Sequence, residues 1–358
     1  MADIVLGIGT SHSPMLALTG EQWNRYRAVD YKSEALVFPP EGISMSYEEG
    51  LKRVPTAIRE KPLTLEVFEE QAAACQRGIA ELAKTFAEVN PDVTVIISDD
   101  QDEWFFDSLM PAFTVFWGKS VPIHPRVARG PHDKDIAEAI AKGYGDVAMD
   151  VPVQQELGRH VINYMIEHEF DVSHFTEVRE NYGGSVVRRY PTGDGESDAV
   201  RVTEPVDQGL PHGFAFVVKR IMGNKPRTIL PIFENTCYPP NQPTAKRSYK
   251  FGQAVADAVR SWDSNARVCI VGSGGLSHFV TDEVLDRACL SALEKKDAQG
   301  LMSLPRERLY SAASETQNWV ALGGAMADTP LKMELIEYVP VYRTEAGTGG
   351  GWAFARWQ

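Results

Sequence analysis

The amino-acid sequence predicts an α/β protein: a single domain over residues 1–358, with a central, mostly buried sheet flanked by helices and an active site at one edge of that sheet. Three observations carry this reading. The run Val93-Thr94-Val95-Ile96-Ile97 is short, β-branched and uncharged, the composition of a strand buried on both faces. Before it, Leu65, Phe68, Ala72, Cys75, Ile79, Leu82 and Phe86 repeat at spacings of three and four, which makes one apolar helical stripe. Helix followed by buried strand is an α/β unit. After the run, Asp99, Asp100, Asp102 and Glu103 arrive within five positions. Open α/β sheets collect ligands at the carboxyl ends of their strands.

Taken in order, Ile4-Val5-Leu6-Gly7-Ile8-Gly9 reads as the first strand. Pro14 stops it after Thr10-Ser11-His12-Ser13, so His12 stands at a strand end. Residues 20–62 are polar and irregular, with Trp23, Tyr26, Tyr31, Phe38 and Pro39-Pro40, and are too long for a simple connection. Such a segment serves as a lid over a site or as a subunit contact. Phe113–Trp117 reads as a strand, Val151–His168 as a helix and residues 172–206 as surface turns. His212 lies in the Gly/Pro-bounded turn Gly209-Leu210-Pro211-His212-Gly213-Phe214. Arg227–Phe233 is another buried strand, ending in Glu234, and Lys246–Trp262 a helix with Tyr249, Gly252, Val255, Val259 and Trp262 inward. Arg267–Val271 is the next strand, running into Gly272-Ser273-Gly274-Gly275-Leu276-Ser277-His278, whose glycines permit a tight turn. Leu309–Met326 reads as a helix carrying Glu315 and Trp319, and Tyr342–Gly351 as a glycine-rich tail suited to looping over a site. His124, His132, His160, His168 and His174 fall on surface helices or loops.

Composition narrows the function classes. A net charge of −13 offers no basic face for nucleic-acid phosphates. No apolar stretch approaches the roughly 18–20 residues of a bilayer span, and the first residues lack the basic and apolar regions of a signal peptide. Cys75, Cys237, Cys269 and Cys289 are widely spaced with no CxxC pair, which predicts reduced thiols in a cytoplasmic protein. No dinucleotide fingerprint, P-loop or GxSxG elbow is present. What remains is an α/β enzyme with His12, Asp99 to Gln101, Glu234 and His278 at strand ends, and a pattern that by itself names no reaction.

At these residues the chain resembles the class III extradiol ring-cleavage dioxygenases, the superfamily of the protocatechuate 4,5-dioxygenase β subunit. The resemblance runs almost end to end apart from residues 20–62. It is carried by Thr10-Ser11-His12-Ser13-Pro14, the acidic motif at 98–106, Pro211-His212-Gly213-Phe214, Gly274-Gly275-Leu276-Ser277-His278, Ser314-Glu315-Thr316-Gln317-Asn318-Trp319 and Tyr342-Arg343-Thr344-Glu345-Ala346-Gly347, in the family's order. The resemblance implies a non-haem Fe(II) held by two histidines and one carboxylate. His12 and Glu315 match two of these positions, but Gln101 stands where the family has its second histidine. A glutamine amide is a poorer ligand for Fe(II) than imidazole. Asp99 or Asp100 could substitute, and a one-histidine, two-carboxylate site leans toward harder cations such as Mn²⁺. His212 and His278 match the family's two acid–base histidines, and imidazole titrates in the range that such work needs.

The reading that follows is an extradiol dioxygenase taking a small aromatic diol and O₂, with a homo-oligomer, a dimer in the first place, as its assembly. The rival reading is a family member that left dioxygenation with the loss of the second histidine and runs hydrolase, lyase or decarboxylase chemistry in the same pocket. A third is a binding protein that kept the fold without the metal.

Overall fold

Four parallel strands form the centre of the molecule: β1 (Asp3–Thr10), β2 (Val93–Ser98), β5 (Ile229–Glu234) and β6 (Arg267–Ser273), aligned side by side in the order β1-β6-β2-β5. All six residues of β2 and of β5 are buried, as expected for strands covered on both faces. The computed structural model describes residues 1–101, 103–106, 109–126, 133–178 and 209–358, with the backbone of Val186–Arg189 and Ala199–Val202. Asp102, His132 and most of the surface-turn stretch within 172–206 lie outside the described residues.

The remaining strands extend this centre. Antiparallel β3 (Phe113–Phe116) and then β4 (Ser173–Phe175) continue it beyond β5. On the other side β9 (Thr348–Trp357) pairs with β1, with β7 (His278–Val280) and with β8 (Met333–Tyr342), all antiparallel. The result is a nine-stranded mixed sheet.

Helices cover both faces. Helix α2 (Leu65–Val89), which follows α1 (Gly20–Asp30), is the one read from its stripe. Thr64 caps its start by accepting from the Val67 N–H, and Asn90 ends it in a left-handed conformation. Leu65, the first member of the stripe, lies at the frayed end and is exposed. Phe354 of β9 abuts Gly78 of α2. On the opposite face Gly9 of β1 abuts Trp319 of α5 (Thr316–Met326), and α5 packs on α4 (Ala245–Ser261). Helix α3 (Gln155–Glu167) lies beside α4. Among the described residues no helix is long and apolar enough to cross a membrane, and the four cysteines are buried and form no disulfide.

Four expectations need correction. The helix expected from Val151 begins at Gln155, because Met149–Pro152 is a strand paired with Ser120–Ile123. The helix expected from Leu309 begins at Thr316, and Glu315 closes a short 3-10 turn before it. The closing tail, residues 342–351, is only in part a loop: residues 343–347 turn between β8 and β9, and Thr348 to Gly351 already belong to β9, where Gly351 is glycine because a Cβ there would lie 1.9 Å from Asp286 Oδ2. Residues 20–62 are mostly regular, with α1, a hairpin of Leu36–Phe38 and Ile43–Met45, and helices Tyr47–Arg53 and Thr56–Arg59. This segment has its own small core, where Leu36, Phe38, Met45, Tyr47 and Val54 meet Val280 of β7 and Ala346. Its sequence looks irregular because the elements are short and bury few anchors, such as Trp23.

Candidate metal centre and acid–base site

The carboxyl ends of β1, β2 and β6 lie together, and this is what gathers the site. Chain leaving β1 carries Ser11 and His12; chain leaving β2 carries Asp99 to Glu103; chain leaving β6 turns through Gly274 and Gly275 to His278. Glu315 reaches the same place from the 3-10 turn ahead of α5. His12, Asp99, His278 and Glu315 are all buried.

The protonation of His12 follows from a chain of hydrogen bonds. The Ser273 hydroxyl has one hydrogen, which it donates to Gly213 O at 2.8 Å. At 3.0 Å from His12 Nδ1 it must therefore accept, so Nδ1 carries a proton and Nε2 is the nitrogen left to face the carboxylates. Nε2 is buried, lies 3.3 Å from Glu315 Oε2 and makes no well-aligned hydrogen bond among the described residues. Burial opposes a charge on His12, but the carboxylates of Glu315, Asp99 and Glu103 outweigh it and raise the pKa. Gly213 allows this packing, since a Cβ there would fall 2.4 Å from Ser98 Oγ and 2.8 Å from the His12 ring.

Glu315 is the hub. Its Oε2 accepts the Gly275 backbone N–H at 2.5 Å. Its Oε1 lies 3.2 Å from His278 Nε2 and accepts Gln101 Nε2 at 2.5 Å. Burial alone would push the carboxyl up, yet His278 and His12 hold it well below the usual range, so it is an anion. Asp99 lies beside it and accepts Asn318 Nδ2 on Oδ1 at 2.7 Å and Gln101 Nε2 on Oδ2 at 3.3 Å. Burial and the Glu315 charge raise Asp99 to about 6.

One ligand atom from each of His12, Asp99 and Glu315 lies within 4.8 Å of the others. A buried imidazole nitrogen beside two carboxylates is a donor set that suits a divalent cation, which binds in place of any proton on that nitrogen. Of the two aspartates named as substitutes, Asp99 joins this group and Asp100 does not. The Asp100 carboxylate accepts the backbone N–H groups of Glu103, Trp104 and Phe105 at 2.9–3.1 Å, so it builds the turn that carries Glu103. Gln101 reaches the group, but through its amide nitrogen, a donor.

The two expected acid–base histidines stand on either side of this group. His278 donates Nδ1–H to Leu276 O at 2.8 Å and sets Nε2 against Glu315 Oε1. Both ring nitrogens thus face acceptors, which suits a ring carrying two protons, and Glu315 raises its pKa against the burial that would lower it. The His212 ring meets the His12 ring edge-on, with centroids 4.8 Å apart. His212 belongs to a short helical turn, His212–Phe216, and both its backbone N–H and its Nδ1 are bonded to Glu103 Oε1. Arg126 Nη2 donates to Glu103 Oε2 at 2.6 Å and also to Leu210 O. Burial would raise the Glu103 carboxyl, but Arg126 and His212 together lower it strongly. Tyr144 completes the wall: its hydroxyl donates to His12 O at 3.0 Å, and its ring stands edge-on to His212.

Glu103, Arg126 and Asn318 were not singled out from sequence. Glu103 sat in the acidic run in plain view, but its partner is more than a hundred positions away, and nothing local marks it. Glu234, at the end of β5, lies one strand from Asp99 and accepts from Ser248 Oγ.

Comparison with known proteins places these residues in context. Residues 62–350 match the LigB family, described as the catalytic LigB subunit of aromatic ring-opening dioxygenase. The chain is 27% identical over 220 residues to a 2,3-dihydroxyphenylpropionate/2,3-dihydroxicinnamic acid 1,2-dioxygenase of Klebsiella pneumoniae, covering 61% of this chain and 54% of that protein. It is 28% identical over 213 residues to a like-named enzyme of Dechloromonas aromatica, covering 58% of this chain and 51% of that one. A stretch of 80 residues is 36% identical to gallate dioxygenase of Pseudomonas putida, covering 22% of this chain and 23% of that enzyme. The match thus spans about half the length of the first two relatives.

Proposed function

Because this chain belongs to the LigB family of aromatic ring-opening dioxygenase catalytic subunits, we propose that it cleaves a catechol-type ring with O₂, beside the two ring hydroxyls. The observation that carries this is the buried group of His12, Asp99 and Glu315, with an imidazole nitrogen and two carboxylates within 4.8 Å of one another. These three residues would hold a divalent ion, Fe(II) or, given two oxygen ligands to one nitrogen, Mn(II). Such an ion, when bound, would supply Lewis-acid binding of the two hydroxyl oxygens and a path for electrons from the diol, which is the species oxidised, to O₂.

The protein's own residues then divide the proton work. His212, with Nδ1 fixed on Glu103, has Nε2 left to take a hydroxyl proton from the substrate. Glu103, itself held by Arg126, stabilises the imidazolium that results. His278, with both nitrogens on acceptors, is the proton donor when the ring carbon skeleton rearranges. The Tyr144 and Trp352 rings, each packed on one of these histidines, keep water from the acid–base pair.

Access runs past residues 20–62, which we assign as a lid. A cavity of about 470 Å³ lies between α1 and the start of helix Lys134–Tyr144, lined by Tyr26, Val29, Lys32 and Ile136 among others. That is within the size range of small-molecule sites. Arg25 on its wall is already paired with Glu21, Asp133 and Asp135, and the lining residues are separate from the metal and acid–base residues, so the cavity itself does not choose the substrate. Cytoplasmic location and a homodimeric assembly belong to the same proposal.

The test is O₂ uptake by protein reconstituted with Fe(II) or Mn(II) against catechols with and without a carboxylated side chain. Metal-dependent uptake with a ring-opened product supports the dioxygenase. Conversion of a phenolic substrate without O₂ uptake would favour the non-oxidative reading that the Gln101 replacement raises.

A further inference from the structure

Gln101 occupies the place that a cation needs. Asp99 has two carboxylate oxygens, and Oδ1 is held by Asn318 Nδ2 at 2.7 Å. Its other oxygen, Oδ2, and Glu315 Oε1 are bridged by one group, the Gln101 amide nitrogen, at 3.3 and 2.5 Å. The nitrogen must be the atom that faces them, because an amide oxygen set between two carboxylate oxygens would meet only repulsion. A divalent ion that joins Asp99 to Glu315 through Oδ2 or Oε1 takes that oxygen from Gln101; of the two Glu315 oxygens only Oε2, 3.3 Å from His12 Nε2, lies outside the Gln101 bridge.

We infer that Gln101 acts as an internal competitor of the metal: its amide N–H groups neutralise the Asp99–Glu315 pair, and an ion binds only by displacing them. This rests on the metal reading above. It assigns position 101 a role opposite to a ligand's, because a ligand strengthens metal binding and a competitor weakens it. The amide also adds to the stability of the metal-free protein, since it joins Asp99 Oδ2 and Glu315 Oε1 beside the charges that His12 and His278 already place on Glu315. Bonds from an amide to a carboxylate are charge-assisted and among the stronger hydrogen bonds, so their displacement is felt in affinity.

Gln101→Met keeps length and bulk and removes both donor and ligand atoms, so it separates the two roles. The readout is Mn²⁺ binding to full-length protein by calorimetric titration, with thermal unfolding of the metal-free form in parallel. The expected result is roughly ten-fold tighter Mn²⁺ binding, the scale of one charge-assisted hydrogen bond, together with a lower melting temperature without metal that added Mn²⁺ restores. Unchanged or weaker Mn²⁺ binding overturns the inference and returns Gln101 to a spectator's or a ligand's role. Gln101→Asn, whose amide is too short to bridge to Glu315, gives the same reading if the Met variant fails to fold. His12→Ala distinguishes the two levels of argument. If it binds Mn²⁺ as the parent does, the metal site itself is misassigned; if it loses binding while Gln101→Met does not gain it, only the competitor role fails.

Discussion

His212 gives both its backbone N–H and its ring Nδ1 to a single carboxylate oxygen, Glu103 Oε1, while Arg126 takes the other oxygen of the same group. A histidine held at two points cannot turn, and its tautomer is set by the acceptor it faces. The pair joins the turn after β2 to the turn ahead of His212–Phe216, so the proposed acid–base group and the proposed metal group are built on one scaffold.

Glu103→Gln keeps the shape of this pair but replaces one oxygen with a donor. Arg126 needs the remaining oxygen, so the amide nitrogen faces His212 and favours the wrong tautomer. Turnover is expected to fall by roughly 10²–10⁴-fold with little change in KM, the behaviour of a lost orienting carboxylate. Steady-state kinetics with the best catechol checks it, and Glu103→Asp recovers part of the loss. Equal activity in Glu103→Gln would reduce the pair to a structural contact.

Removing either acid–base histidine gives the complementary result. His212→Ala and His278→Ala are each expected to lower turnover by roughly 10²–10⁴-fold. His278→Ala differs in one respect: it takes a partner from Glu315 Oε1, so its Mn²⁺ affinity changes while that of His212→Ala does not. Titration calorimetry on both variants reads this difference.

Glu234 makes a stability prediction with a defined pH window. Burial raises its carboxyl to about 8, and Oε2 has no hydrogen-bond partner among the described residues. The folded protein thus keeps a proton that the unfolded chain releases near pH 4.5. The stability contributed is full below that value and is lost as pH rises toward 8, at up to roughly 1.4 kcal/mol per pH unit. Glu234→Gln removes this slope. Urea unfolding at pH 5 and pH 8 should show the variant gaining on the parent protein at the higher pH; a constant difference would mean that Glu234 is not the proton holder.

What could be read from sequence, and what could not, follows from where each signal lies. Val93–Ser98 was legible because a strand covered on both faces is apolar at every position. His12 and Glu315 were legible as members of ordered motifs. The choice between Asp99 and Asp100 was not, since neighbouring side chains leaving a strand point opposite ways and composition does not say which way is inward. One went to Asn318 and the His12 group, the other to the backbone at 103–105. Residues 342–351 misled because glycine marks both loops and close packing, and here Gly351 packs against Asp286. Glu103 and Arg126 depend on contacts with no local pattern.

The segment 20–62 is tied to the sheet by a buried ion pair. Arg343 donates from Nε and Nη2 to Asp30 at 2.8 and 3.0 Å, and Thr348 Oγ1 adds a third bond. Breaking a buried pair from one side leaves an uncompensated charge, so Asp30→Ala should cost about 3–5 kcal/mol in urea unfolding. Deleting 24–58 and bridging the ends with Gly/Ser tests the lid: a raised KM is expected, and a soluble variant with unchanged KM, turnover and oligomeric state would show that the segment is neither lid nor interface.

Anomalous diffraction from a crystal of the full chain loaded with Mn²⁺ tests the central claim most directly. The account predicts one strong peak at roughly 2.0–2.3 Å from His12 Nε2, Asp99 Oδ2 and a Glu315 oxygen, with the Gln101 amide nitrogen moved off both carboxylates. A peak elsewhere, or none at these three residues in metal-saturated protein, would contradict it.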